Sequence, residues 1–144
     1  MKKHTPFAAM AAALFCAGGA AAESTPIAID DLAFATVHEV AERSILARND
    51  AGQPLAALLK LDDGDFLPPH GAGGGLRLLT VLSGELSWGD GAEVDPDKER
   101  IFPAGTVLIV PAEGGEHWAA ARGGDVLIQV VFIREGALAA GIPD

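Results

Sequence analysis

Short apolar runs separated by turn residues mark this chain from about residue 32 to about residue 134. Leu55–Leu61, Leu76–Leu82, Val107–Val110, His117–Ala121 and Val126–Ile133 are the clearest. Glu85–Trp88 and Arg100–Phe102 lie between them, and Leu32–Val40 and Ser44–Ala47 are weaker candidates. Asn49-Asp50-Ala51-Gly52, Asp62-Asp63-Gly64 and Ser83-Gly84 punctuate the series with turn chemistry. Pro68-Pro69 holds the backbone extended into His70. Short strands at near-regular spacing, with Gly and Pro between them, predict an all-β sandwich or barrel. One stretch also tolerates a helix: Ala33, Ala35, Glu39, Ala41 and Glu42 allow a short N-terminal helix around Leu32–Arg43. No internal repeat is visible, so the pattern predicts one barrel.

Leu76–Leu82 is apolar on both faces. Leu76, Leu78, Thr80 and Leu82 form one, and Arg77, Leu79 and Val81 the other. One face can point into a barrel. The other needs a cover from a second sheet, the N-terminal segment or another subunit, and a homodimer is the expectation.

The N-terminus follows a different rule. Lys2, Lys3 and His4 precede an Ala-rich apolar run from Phe7 to about Cys16, and small residues lead to Ala20-Ala21-Ala22 before Glu23. That is the order of a secretory signal peptide, here residues 1–22, ahead of a mature domain over 23–144. Gly18 and Gly19 interrupt the run before the ~20 residues a membrane span needs, and Phe15 is a poor neighbour for a lipidated Cys16. The expected location is periplasmic or secreted, with no membrane attachment after cleavage. The only cysteine leaves with the leader, so disulfides play no part in stability. Losing Lys2 and Lys3 moves the formal charge from −10 to −12. Such a surface repels phosphate backbones and anionic lipid, which argues against nucleic acid as a partner.

Two stretches carry the candidate chemistry: Gly64-x5-His70-x-Ala72-x4-Arg77-x6-Gly84, and Gly105-x5-Pro111-x-x-Gly114-x-x-His117. They resemble the two motifs of the cupin superfamily, G-x5-H-x-H-x3,4-E-x6-G and G-x5-P-x-G-x2-H-x3-N. Thr80–Leu86, Phe102–Gly105, Val110–Ala112 and His117-Trp118 strengthen the likeness. The resemblance implies a single-domain jelly-roll barrel with an interior pocket. It also implies a site of three histidines and one glutamate around Mn, Fe, Ni, Zn or Cu. Residue by residue, His70 matches the first histidine and His117 the last. Ala72 stands at the second histidine and Arg77 at the glutamate. One extra residue lies between Pro111 and His117, and Ala121 takes the closing asparagine position.

Arg77 weighs more than the missing ligand. A divalent ion ~4 Å from a guanidinium is repelled by about 8 kcal/mol at an effective dielectric of ~20, and arginine stays protonated. A metal held by His70 and His117 therefore needs Arg77 to swing away or other donors to enter, with Glu113, Glu116 and His38 available. A carboxylate or phosphate ligand would suit Arg77 directly.

The remaining residues read more plainly. His38 is otherwise an ordinary surface or edge residue. Trp88 and Trp118 read as barrel-wall packing, with Trp118 facing away from its neighbour His117. The acidic turn from Asp90 to Glu99 lacks the alternating order of a calcium loop. Gly71–Gly75 reads as a loop at the barrel mouth. No mature cysteine or nucleophile elbow supports nucleophilic hydrolysis. Three functional readings stay open. The first is an exported protein whose barrel holds a small anionic molecule, with Arg77 as anchor and His70 and His117 as hydrogen-bond partners. The second is a metal-dependent enzyme of dioxygenase, isomerase or decarboxylase type with a reduced or rearranged ligand set. The third is a pocketless structural barrel acting through its surface as a dimer.

Overall fold

A computed structural model of the protein describes residues 21–71, 73, 75–139 and 142. The signal-peptide reading over residues 1–22 falls almost wholly outside these residues, and so does Ala72.

Among the described residues the chain forms β1 (Ala35–Val37), β2 (Ala41–Arg48), β3 (Pro54–Leu61), β4 (Phe66–His70), β5 (Leu76–Ser83), β6 (Glu85–Asp90), β7 (Arg100–Pro103), β8 (Val107–Val110), β9 (His117–Ala121) and β10 (Val126–Ile133). All pairings are antiparallel. One sheet has the order β1-β2-β3-β10-β5-β8 and the other β4-β9-β6-β7. The two close on a shared core in jelly-roll fashion.

The alternation of side chains explains the packing. Ala57, Val130 and Leu79 lie side by side across the larger sheet, and Leu59, Ile128 and Val81 form the next inward row. Leu67, Ala119 and Trp88 face them from the smaller sheet, with Ala121 beside Leu86. Most of these side chains are fully buried, each contributing roughly 1.5–3 kcal/mol for a large aliphatic residue. Gly84 turns the chain from β5 into β6 at φ 78°, where a β-carbon would lie 2.2 Å from the Asp125 carbonyl oxygen. Only glycine meets both conditions.

The structure corrects the helix allowed around Leu32–Arg43. That segment is a β-hairpin, with Ala35 opposite Arg43 and Val37 opposite Ala41. Tertiary contact overrides alanine's helix propensity here: Ala41 is completely buried while Glu39 and Glu42 stay outside. His38 and Glu39 take positive φ angles of 52° and 67° to close the turn. The described helical elements are two three-residue 3-10 turns, Ile29–Asp31 and Pro96–Lys98.

β6 also runs further than the apolar pattern suggests, through Gly89 to Asp90. Gly89 pairs with Trp118, and a β-carbon on Gly89 would sit 2.0 Å from the Trp118 ring. The strand continues because that position has no side chain. On the outer face of the larger sheet, Ala56, Val131, Leu78 and Ile109 form one apolar row, with Val107 and Leu46 exposed nearby.

Candidate functional site

A cavity of about 320 Å³ lies between the sheets. β4 and β9 bring His70 and His117 to it from the smaller sheet, as direct Cα partners. Their ring centroids are 4.3 Å apart and the rings are 64° from parallel. The extra residue between Pro111 and His117 is absorbed in the loop before β9, so His117 keeps its register opposite His70.

Backbone carbonyls orient both rings. His70 Nδ1 lies 2.9 Å from the Pro68 carbonyl oxygen, and His117 Nδ1 lies 2.7 Å from that of Gly115. The extended Pro68-Pro69 segment and the turn at Gly114-Gly115 place those carbonyls two residues upstream of each histidine. Burial pushes the His117 pKa down to about 4; the Gly115 bond and Asp90 oppose the shift, while charges at His70 and Arg77 add to it. Burial likewise lowers His70, against the Pro68 bond and with help from His38 and Arg77. Both imidazoles are neutral at neutral pH.

Trp88 forms the wall behind His117. The two rings stack with centroids 4.2 Å apart and only 14° from parallel. Trp88 Nε1 donates to Asp90 Oδ1 at 2.8 Å, and Arg100 holds the other Asp90 oxygen. Trp118 faces the opposite way, as alternation predicts, and packs on Phe66 at 5.9 Å.

Arg77 enters from the larger sheet, between Phe132 and Val110 in the register. Its Nη2 donates to the Gly73 carbonyl oxygen at 3.1 Å, and its guanidinium lies 5.3 Å from the Phe132 ring centroid. Its Nε is buried without a hydrogen-bond partner among the described residues. Burial, then the charge of Arg134, lowers its pKa, yet an arginine starting so high remains charged.

His38 is the residue whose place the sequence did not reveal. It is exposed, but its ring centroid lies 4.8 Å from that of His70 and it lines the cavity. The left-handed turn of the β1–β2 hairpin delivers it there, and no motif spacing signals such a turn. Arg43 reaches the same cavity from β2. Glu113 and Glu116 are exposed and do not line it.

The described residues do not fit a metal centre. Among the described residues, no three His, Cys, Asp or Glu side chains gather so as to hold an ion. His70 and His117 pair with His38 beside them, but the Arg77 cation shares their cavity. Among the described residues the lining holds two arginines and three histidines and no carboxylate. The rest is apolar, with Leu59, Leu67, Leu79, Ile128, Val130 and Phe132 prominent. In a chain of net charge −10, this is a locally positive pocket.

Two facing sheets around a positive, mostly apolar cavity define a small jelly-roll barrel with an interior cavity. No protein-family model and no curated protein sequence matches the chain. Solved structures do match its fold. A predicted oxalate decarboxylase from Thermotoga maritima superposes with a TM-score of 0.58 at 18% identity, over 74% of this chain and 96% of that one. A chain from the complex of SigE with the anti-sigma ChrR of Rhodobacter sphaeroides gives 0.54 at 28% identity, over 73% of this chain and 50% of that one, so this chain spans about half its length. A cupin 2 conserved barrel domain protein from Salinispora arenicola gives 0.54 at 16% identity, over 77% and 87%. The chain is a cupin-fold protein.

Proposed function

We propose that the barrel binds a small organic anion, with Arg77 as the anchor and His70 and His117 as its polar partners. The observation that carries this reading is the Arg77 guanidinium in the lining of a cavity that has no carboxylate among the described residues to neutralise it. A ligand carboxylate on that guanidinium gains a charge-assisted hydrogen bond, about twice as strong as a neutral one. The cavity is at the lower end of the ~300–1,000 Å³ typical of ligand pockets, which suits a small metabolite with an apolar body.

The test is calorimetric titration with phenylacetate and with its neutral counterpart phenylacetamide. The acid binds and the amide does not, and Arg77→Leu removes the difference. Equal affinity for both, or a stoichiometric metal in protein purified without chelator or affinity tag, would overturn the reading.

The protein works outside the cytoplasm and as a homodimer in this proposal. The basic start, short apolar run and A-x-A end of residues 1–22 support export, and N-terminal sequencing of protein from an exporting host checks it at Glu23. The apolar outer row through Val131 and Leu78 supports pairing of two copies.

A further inference from the structure

The histidine pair narrows the class of anion. A carbonyl oxygen only accepts, so the short contacts from His70 Nδ1 to Pro68 and from His117 Nδ1 to Gly115 place each ring proton on Nδ1. A neutral imidazole then carries its lone pair on Nε2. Neither Nε2 meets a donor among the described residues, and both rings line the cavity. The backbone thus sets two hydrogen-bond acceptors on one wall. Arg77, on the facing sheet, offers only donors. The surface between them is aliphatic and aromatic, with Leu79, Ile128 and Phe132 among its residues.

We propose that the ligand is a hydroxycarboxylate: its carboxylate lies on Arg77 and its hydroxyl donates to one Nε2 acceptor of the His70–His117 pair. This rests on the anion reading above and adds the second polar group. A hydroxyl fits better than an ammonium, because Arg77 and Arg43 already make the cavity positive and a further buried cation would be repelled. Trp88 stacked on His117 and Asp90 bonded to Trp88 keep the acceptor wall from turning. The arrangement discriminates by the cost of leaving a site acceptor unpaired, which is stronger than discrimination by shape alone.

The experiment is calorimetric titration of the whole chain with two matched sets of probes. One is 4-hydroxyphenylacetate, phenylacetate and methyl 4-hydroxyphenylacetate. The other is 3-hydroxybutyrate, butyrate and methyl 3-hydroxybutyrate, which spans a shorter distance. In at least one set, the hydroxy acid binds about tenfold more tightly than the deoxy acid, a ratio expected of one buried hydrogen bond. The ester binds at least tenfold more weakly than the hydroxy acid. His70→Phe keeps a ring of similar shape without the lone pair; it lowers the ratio of hydroxy-acid to deoxy-acid affinity. Equal affinity of hydroxy and deoxy acids in both sets overturns the hydroxycarboxylate assignment while the anion site stands. Equal affinity of acids and esters, or no binding by any acid, overturns the anion site and this assignment with it. The comparison of probes on the unmodified chain holds whether or not the variant folds.

Discussion

His117 lies flat against Trp88, with centroids 4.2 Å apart and planes 14° from parallel, and this contact covers one face of the imidazole. Only 4% of His117 is exposed. Its folded-state pKa of about 4 is below the ordinary 6.5, so between those values the unfolded chain takes up a proton that the folded one refuses. Stability from the neutral ring is therefore fully present above about pH 6.5 and is lost as pH falls toward 4. Between pH 7 and pH 5 the wild type should lose up to about 2 kcal/mol on this account. His117→Asn should lose less over the same interval, because it has no proton to gain. Urea midpoints of the two proteins at both pH values measure the difference; identical losses would show that His117 titrates normally.

Gly89 and Trp118 make a second such pair. A β-carbon on Gly89 would lie 2.0 Å from the Trp118 ring, far inside contact distance, and Trp118 is packed on its other side by Phe66. Gly89→Ala is expected to destabilise the barrel by roughly 1–3 kcal/mol, the range for overpacking a tight core. Thermal unfolding checks it, with Trp118→Leu in the same background restoring part of the loss. Wild-type stability in Gly89→Ala alone would mean the ring can shift freely.

Spacing made His70 and His117 legible, because a repeated offset of glycine, proline and histidine survives translation from chain to fold. β9 and β10 were legible at both ends for a simpler reason: each apolar run is bounded by Gly and charged residues. The hairpin turn at His38 was hidden, since Ala35, Ala41 and the nearby glutamates suit a helix locally and only the burial of Ala41 against the core selects the strand. Asp90 was hidden as well. Its acidic neighbours Glu93 and Asp95 read as turn, whereas its bond to Trp88 and its pairing with His117 place it at the end of a strand. The direction of Arg77 could not be read from alternation alone. It follows from the register that sets Arg77 between Phe132 and Val110, a long-range fact.

The outer apolar row offers a separate test. Val131 pairs with Leu78 and Ala56, and Leu78 with Ile109, yet Val131 is 36% exposed in the single chain. Sedimentation at micromolar concentration should give twice the chain mass. Val131→Glu should give the monomer, since a dimer would bury its charge unpaired, and should leave monomer stability within about 0.5 kcal/mol, as for other exposed sites. A wild type that sediments as a monomer sinks the dimer.

Arg77 separates anion chemistry from metal chemistry most directly. Its cation shares a cavity with His38, His70 and His117, and no donor among the described residues meets Nε2 of His70 or His117. Arg77→Glu changes the local charge by two units and adds a carboxylate, which turns two donors and a repelling charge into three donors suited to a divalent ion. Titration of both proteins with Zn(II) and Mn(II), followed by calorimetry, should show at least tenfold tighter binding by Arg77→Glu. That change is well below the ~8 kcal/mol set by the charge argument at ~4 Å, so it allows for a guanidinium that lies further off. The same variant should lose affinity for phenylacetate, because the anchor has become a like charge. If the wild type already binds one equivalent tightly with Arg77 in place, the guanidinium does not control the cavity, and a metal-dependent reading becomes the better account of this barrel.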